Sequence, residues 1–439
     1  MHKITFLGAG STVFAKNVLG DCFCSDILKS CEISLYDIDA ARLRESEEII
    51  TAMNQAKGGS ATRINTYYGT ENRKAALERA HFVINAIQVG GYEPCTITDF
   101  EIPKKYGLRQ TIADTIGIGG IMRGLRTIPV MDGFAQDMQE VCPEAWFLNY
   151  VNPMSILTGY IQRYTGVKTV GLCHSVQVCS EKLLRDLNMD DKLNGRRELI
   201  AGINHMGWLL EIKDRDGSDL YPEIKRRAKE KNQTEKHDDM VRYDYIDRFG
   251  FYCTESSEHN AEYNPFYIKR NYPELIERFN ITLDEYPRRC VEQIEKWESL
   301  RLDILKGGAE HERTTEYASY IMEAMITNKP YIIGGNVINN GLIENLPREA
   351  CVELPCIVNN LGVTPCYVGR LPIQLAAMNM THINVHLLTI EAAVTRKKEH
   401  IYQAAMLDPL TSAELSVDDI VNMVDELIAA HGDWMPLYK

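Results

Sequence analysis

An α/β fold on a doubly wound parallel sheet is predicted by three features of the sequence. Short β-branched runs alternate with amphipathic helical stretches up to about residue 195. A glycine-bearing turn, Gly8-Ala9-Gly10, follows the first run directly, and two carboxylates, Asp37 and Asp39, stand at the end of the second.

The elements follow in order. Strands are predicted at 3–7, 32–36, 63–67, 82–87, 146–150 and 169–172, and helices at 12–21, 40–56, 73–80, 121–140, 154–164 and 180–187. Beyond residue 195 the pattern changes. Strands at 199–204 and 208–212 lead to an Asp216-Gly217 turn, and the basic, polar stretch 225–239 lacks periodicity and reads as a mobile surface segment. Short strands recur between Pro330 and Tyr367, and two long helical patterns, 383–406 and 417–430, close the chain. The expectation is a Rossmann-type domain over 1–195 and a mixed α/β domain for substrate and oligomerisation over 196–439.

Composition narrows the function classes. The 439 residues are 45% hydrophobic and 25% charged, with no apolar run long enough to span a bilayer. A formal net charge of −13 disfavours nucleic acid and anionic membranes as partners and leaves a neutral or cationic small molecule. The start, Met1-His2-Lys3 running into a strand, lacks the pattern of a signal peptide. Twelve scattered cysteines therefore read as thiols of a cytoplasmic protein.

Gly8-Ala9-Gly10-Ser11-Thr12-Val13 sits where a dinucleotide-binding turn belongs, with glycines letting backbone N–H groups approach a pyrophosphate at a helix start. Val13 replaces the third glycine of that fingerprint. Asp37 is the expected acceptor for ribose hydroxyls and favours NAD over NADP. The alternative is a plain strand-to-helix turn with the aspartates as helix caps. Asn85-Ala86-Ile87-Gln88-Val89-Gly90-Gly91 ends the fourth strand in the same crevice. The expected cofactor contacts are Gly8, Gly10, Ser11, Thr12, Asp37, Asn85 and Gln88.

Later strand ends carry polar residues: Asn149-Tyr150-Val151-Asn152-Pro153, Gly171-Leu172-Cys173-His174-Ser175 and Gly202-Ile203-Asn204-His205-Met206. A thiolate and an imidazole, Cys173 and His205, suit a borderline divalent ion, although a buried structural Cys beside a core His reads the spacing equally well.

Together with Gln110–Thr115, Gly119-Gly120-Ile121, Thr254–His259, Asp284–Pro287 and Ala430–Trp434, these segments resemble glycoside hydrolase family 4 over essentially the whole chain, nearest its α-galactosidases. That resemblance implies a mechanism outside the usual two-carboxylate scheme. A hydride passes from carbon 3 of the sugar to NAD, a base removes the carbon 2 proton, and the aglycone leaves carbon 1. Water then adds and the hydride returns.

It further implies Mn2+, or another divalent metal, on Cys173 and His205. His174 is expected as general acid, with orientation of a substrate hydroxyl or a purely structural place beside the metal as alternatives. Glu255 ranks above Tyr252 as base. Asn152 is the expected substrate contact, followed by His259 and Arg313. The segment Gln88–Cys95 has no arginine, which relatives acting on 6-phospho sugars usually carry there, so the resemblance points to unphosphorylated α-galactosides such as melibiose or raffinose. The alternatives are an α-glucosidase or α-galacturonidase of the same family, a hydroxy-acid dehydrogenase, and an inactive NAD-binding sensor. A homodimer or homotetramer is implied as well.

Overall fold

The computed structural model of the chain describes residues 1–57, 62–306 and 311–439, excluding the side chains of Thr12 and Glu298. Six parallel strands build the first half: β1 (Lys3–Leu7), β2 (Glu32–Asp37), β3 (Arg63–Tyr68), β4 (Phe82–Asn85), β5 (Trp146–Asn149) and β6 (Lys168–Leu172), in the order β3-β2-β1-β4-β5-β6. Every residue of β1 is buried, as a central parallel strand covered on both faces requires. Strand order reverses between β1 and β4, and Leu7 pairs with both Tyr36 and Asn85, so these strand ends share one crevice.

The second half adds β7 (Arg197–Ile203), β8 (Met206–Lys213), β9 (Tyr252–Cys253), β10 (Tyr331–Ile338), β11 (Cys351–Asn359) and β12 (Gly362–Pro365). Its strands extend the same sheet. β10 pairs antiparallel with β6 through Gly335–Leu172 and Asn336–Gly171, β11 lies beside β10, and Glu353 of β11 pairs with Gly202 of β7. This ladder carries the end of β7 to the end of β6 and sets their following residues, His205 and Cys173, side by side.

Two expectations about the second half are corrected. The polar stretch 225–239 is mostly the helix Tyr221–Thr234. Its inward stripe is only Tyr221, Ile224 and Ala228, and its outer face is laced by Arg226 and Arg227 with Glu223 and by Arg226 with Glu230. The pattern over 383–406 is two helices, Ile373–Thr395 and Lys398–Leu407, divided where Arg396 takes a left-handed φ of 59°. No helix among the described residues is long and apolar enough to cross a membrane.

A buried charge network ties the C-terminus to the crevice. Arg126 donates to both oxygens of Asp99 (3.2 and 2.7 Å) and to the Val89 carbonyl (3.2 Å), while His431 Nε2 lies 2.9 Å from Asp99 Oδ1. None of the three side chains is more than 3% exposed. Asp99→Asn leaves the guanidinium desolvated and unpaired, so a loss of about 3–5 kcal/mol is expected in urea unfolding.

Candidate active site

The turn after β1 is shaped by backbone geometry. Gly8 has φ +82°, and a Cβ there would lie 2.7 Å from the Ala86 carbonyl oxygen. At Gly10 a Cβ would meet Asp37 Oδ2 at 2.8 Å, the space through which the Gly10 N–H donates to that oxygen at 2.6 Å. Asp37 also accepts from the Asp39 N–H (2.9 Å), and it is Asp39 that caps the next helix through Ala41 and Arg42. Asp37 thus clamps the glycine turn.

Ser11 caps the helix Thr12–Phe23 through its backbone, and the side chain of Thr12 lies outside the described residues. Beside the first turn of this helix, whose N–H groups lack intrahelical acceptors, opens a cavity of about 530 Å3 lined by Val13 and by Arg289, Gln293, Lys296, Trp297 and Leu300 of the helix Glu285–Leu305. Val13 faces this cavity, which explains why a side chain is tolerated at the third glycine position. The tight glycines, the helix start and the Asp37 carboxylate fit a dinucleotide. Gly8→Ala is expected to destabilise the fold by roughly 1–3 kcal/mol and to weaken NAD binding at least ~10-fold, the equivalent of about 1.4 kcal/mol, read by thermal unfolding and NAD titration.

At the adjoining strand ends the polar residues converge. His205 Nε2 lies 3.1 Å from Cys173 Sγ and 3.5 Å from Glu255 Oε2, which is itself 4.0 Å from the sulfur. A thiol sulfur, an imidazole nitrogen and a carboxylate oxygen so arranged are a donor set for a borderline divalent cation. The far nitrogen of His205 is held by Thr115 Oγ1 at 3.0 Å and faces the Tyr263 hydroxyl at 3.4 Å, which fixes the ring with Nε2 toward the cysteine. Burial alone would lower the His205 imidazole, but Cys173 and Glu255 beside it push it up to about 10. The pocket favours a positive charge. Burial would raise the Glu255 carboxyl, yet His205 and His259 hold it below the usual range.

Glu255 adopts φ +68°, a left-handed conformation uncommon outside glycine. Its segment is anchored by the Thr254 N–H to the Gly207 carbonyl (2.7 Å) and by Asn260 Nδ2 to the Thr254 carbonyl (3.0 Å). On the opposite wall Glu262 accepts from the N–H groups of Thr111 (2.7 Å), Ile112 (3.2 Å) and Ala113 (2.8 Å), presenting Asp114. Asp114 accepts from Asn152 Nδ2 (3.2 Å) and lies 3.8 Å from His259 Nε2, and Asp114, His205 and His259 form a second possible cation group. Burial would raise the Asp114 carboxyl, but His259, Arg123 and His205 hold it low.

The predicted residues divide accordingly. Cys173, His205, Glu255, His259 and Asn152 share this cluster, and Asn152 keeps a buried Oδ1 without a protein partner among the described residues. His174 begins the helix His174–Asp186 beside it, bonded through Nε2 to Glu316. Gln88 is exposed at the mouth, with Nε2 3.4 Å from Thr96 Oγ1. Asn85 is fully buried and donates to Asn149 Oδ1 at 2.9 Å, joining β4 to β5.

Two expectations are corrected. Tyr252 points away from the cluster, because its ring belongs to a separate hydrophobic core and its hydroxyl donates to buried Asp239 at 2.6 Å beneath Arg242. Arg313 is committed elsewhere: its guanidinium stacks on Tyr320 at 3.9 Å and binds Glu323 (2.8 Å) and Ser319 (3.0 Å). Asp114 and Glu316 were missed. Asp114 has a signal, a lone carboxylate within the family-like segment Gln110–Thr115; Glu316 has none, since its partner lies 142 residues away.

Comparison with known proteins matches both halves of the chain to one family. Residues 3–189 match the model described as family 4 glycosyl hydrolase, and residues 200–411 its C-terminal domain. An α-galactosidase of Bacillus subtilis (strain 168) is 62% identical over 440 residues, covering all of both chains. An α-galactosidase of Rhizobium meliloti (strain 1021) is 34% identical over 99% of this chain and 89% of its own length. Among solved structures, a putative glucosidase of Bacillus subtilis superposes with a TM-score of 0.86 at 25% identity, covering 98% of this chain and all of the other. A 6-phospho-α-glucosidase from gut microorganisms, in complex with NAD and Mn2+, gives 0.83 at 21% identity over the full length of both, a likeness of fold. With both family models matched in sequence order and the identity sustained from end to end, the chain belongs to the family 4 glycosyl hydrolases and is a glycoside hydrolase.

Proposed function

We propose that the chain is an α-galactosidase that hydrolyses unphosphorylated α-galactosides of the melibiose or raffinose type, using NAD and Mn2+ or another divalent cation. The observation that carries this reading is the cluster of Cys173, His205 and Glu255 with Asn152 and His174 alongside, next to a nucleotide turn, where an ordinary glycosidase would need only two carboxylates. Identity of 62% to an α-galactosidase supports the glycone. The absence of arginine from Gln88–Cys95 and the exposed Glu93 support an unphosphorylated sugar.

When bound, the nicotinamide would supply transient oxidation at carbon 3 of the sugar, and the cation Lewis acidity toward the neighbouring oxygens. Gly8, Gly10, Ser11, Thr12 and Asp37 would hold the dinucleotide, with Gln88 at its nicotinamide half and Asn85 supporting the strand end behind it. Cys173 and His205 would hold the cation. Glu255 takes the proton from carbon 2, and its ionised state suits that task. His174 gives a proton to the leaving oxygen. Asn152 orients substrate hydroxyls through its unpaired oxygen, and buried His259, between Glu255 and Asp114, contacts the same sugar. Assembly as a homodimer or homotetramer belongs to the same reading.

The test compares nitrophenyl α-galactoside, α-glucoside and α-galacturonide with NAD, Mn2+ and a reducing agent present. A preference for the galactoside of at least ~10-fold, about 1.4 kcal/mol in the transition state, is expected. Faster turnover of the glucoside or galacturonide would overturn the substrate assignment.

A further inference from the structure

One carboxylate beside the cluster has no part in the steps above. Glu316 Oε2 is hydrogen-bonded to His174 Nε2, and the two side chains differ sharply in exposure, 6% for Glu316 against 52% for His174. The other ring nitrogen, Nδ1, has no hydrogen-bond partner among the described residues. A ring held at one nitrogen by a buried carboxylate and open at the other has one side for the protein and one for a ligand.

Glu316 is itself held in place. Its Oε1 accepts from the Tyr317 N–H (3.1 Å), capping the helix Tyr317–Thr327. The segment leading to it is pinned to Asp21, which is fully buried on the helix that follows the glycine turn. Asp21 accepts from the Thr314 N–H (2.8 Å) and hydroxyl (2.6 Å), and His311 Nε2 lies 2.7 Å from it. From the helix that His174 begins, Gln177 Nε2 donates to the Thr315 carbonyl (2.8 Å). The rings of Phe14 and Tyr150 flank His174 with centroids at 6.1 and 6.0 Å. Both sides of the pair are therefore braced by elements that also build the crevice.

We propose that Glu316 is a positioning residue that fixes the His174 ring, keeping Nε2–H on the carboxylate and turning Nδ1 toward the leaving-group oxygen. This rests on the reading of His174 as the acid. As the bond from carbon 1 to the aglycone oxygen breaks, its electron pair stays on that oxygen, which takes the Nδ1 proton. The aglycone leaves as a neutral alcohol, the imidazole becomes neutral with its Nε2 proton in place, and Glu316 neither gains nor loses a proton. A merely structural ion pair would make no distinction among leaving groups, whereas an acid out of position is missed most where the departing oxygen is most basic.

The experiment measures kcat and KM for wild type, E316Q and H174N on α-galactosides whose leaving groups run from dinitrophenol to methanol. For E316Q, kcat should fall roughly 10- to 100-fold on methyl α-galactoside, the range for losing an outer partner that orients a functional group, and less than about threefold on the dinitrophenyl substrate, with KM and NAD affinity unchanged. If E316Q does not fold, E316D, whose shorter arm falls short of Nε2, should give the same selective loss. A uniform loss across the series, or none, overturns the inference. If H174N steepens the leaving-group dependence and the Glu316 variants do not, the inference alone fails; if H174N does not steepen it, the acid reading of His174 fails.

Discussion

Cys173→Ala is expected to lower kcat/KM on nitrophenyl α-galactoside by on the order of 10³-fold, the scale of removing a principal stabiliser of a developing oxyanion. The sulfur is the softer of the two proposed ligands and sits 3.1 Å from His205 Nε2. Without it only the imidazole of the proposed ligand pair remains, so Mn2+ affinity should fall in parallel, while NAD affinity, assigned above to Gly8, Gly10 and Asp37, should hold. Cation and proton compete for His205, whose imidazole Cys173 and Glu255 hold well above its usual range. Mn2+ affinity should therefore rise with pH between 6 and 9, because ligand protons leave as the cation binds. Wild-type activity with undiminished Mn2+ dependence in Cys173→Ala would move the cation elsewhere.

Glu255→Gln is expected to cost about 10²–10⁴-fold in kcat, the usual contribution of a general base. Glutamine matches the side chain in shape and removes only the charge, so the fold and NAD affinity should survive. Solvent exchange at carbon 2 of the sugar should collapse with turnover. Retained exchange in the variant would pass the role to another group, with Asp114, on the far side of the His259 ring, the alternative carboxylate.

How far the site is legible in the sequence depends on how local each feature is. The glycine turn, the second-strand aspartate and the succession of β1 to β6 along the chain are written in short contiguous stretches, and the strand boundaries fall within two residues of expectation. The choice between Tyr252 and Glu255 is not local. Both lie in one short segment, but β9 pairs with β8 only through Tyr252 and Cys253, which commits the tyrosine to the core around Tyr221 and Tyr243 and frees the glutamate beyond the strand. Arg313 has an open charge in sequence and a stacked, paired one in space. The helix Tyr221–Thr234 was hidden because charge swamps its three-residue inward stripe. The closeness of Cys173 and His205 depends on β10 and β11, contributed more than a hundred residues later, and only the family resemblance anticipated it.

In the proposed mechanism the sugar is oxidised and reduced again while its glycosidic bond is cut. Hydrolysis of an α-galactoside in deuterated water, followed by reading the hydrogen on carbon 2 of the released galactose, tests it most directly. Deuterium at carbon 2 is expected, with no hydrolysis when NAD is withheld. Galactose that keeps its original hydrogen at carbon 2, formed at full rate without NAD, would contradict it.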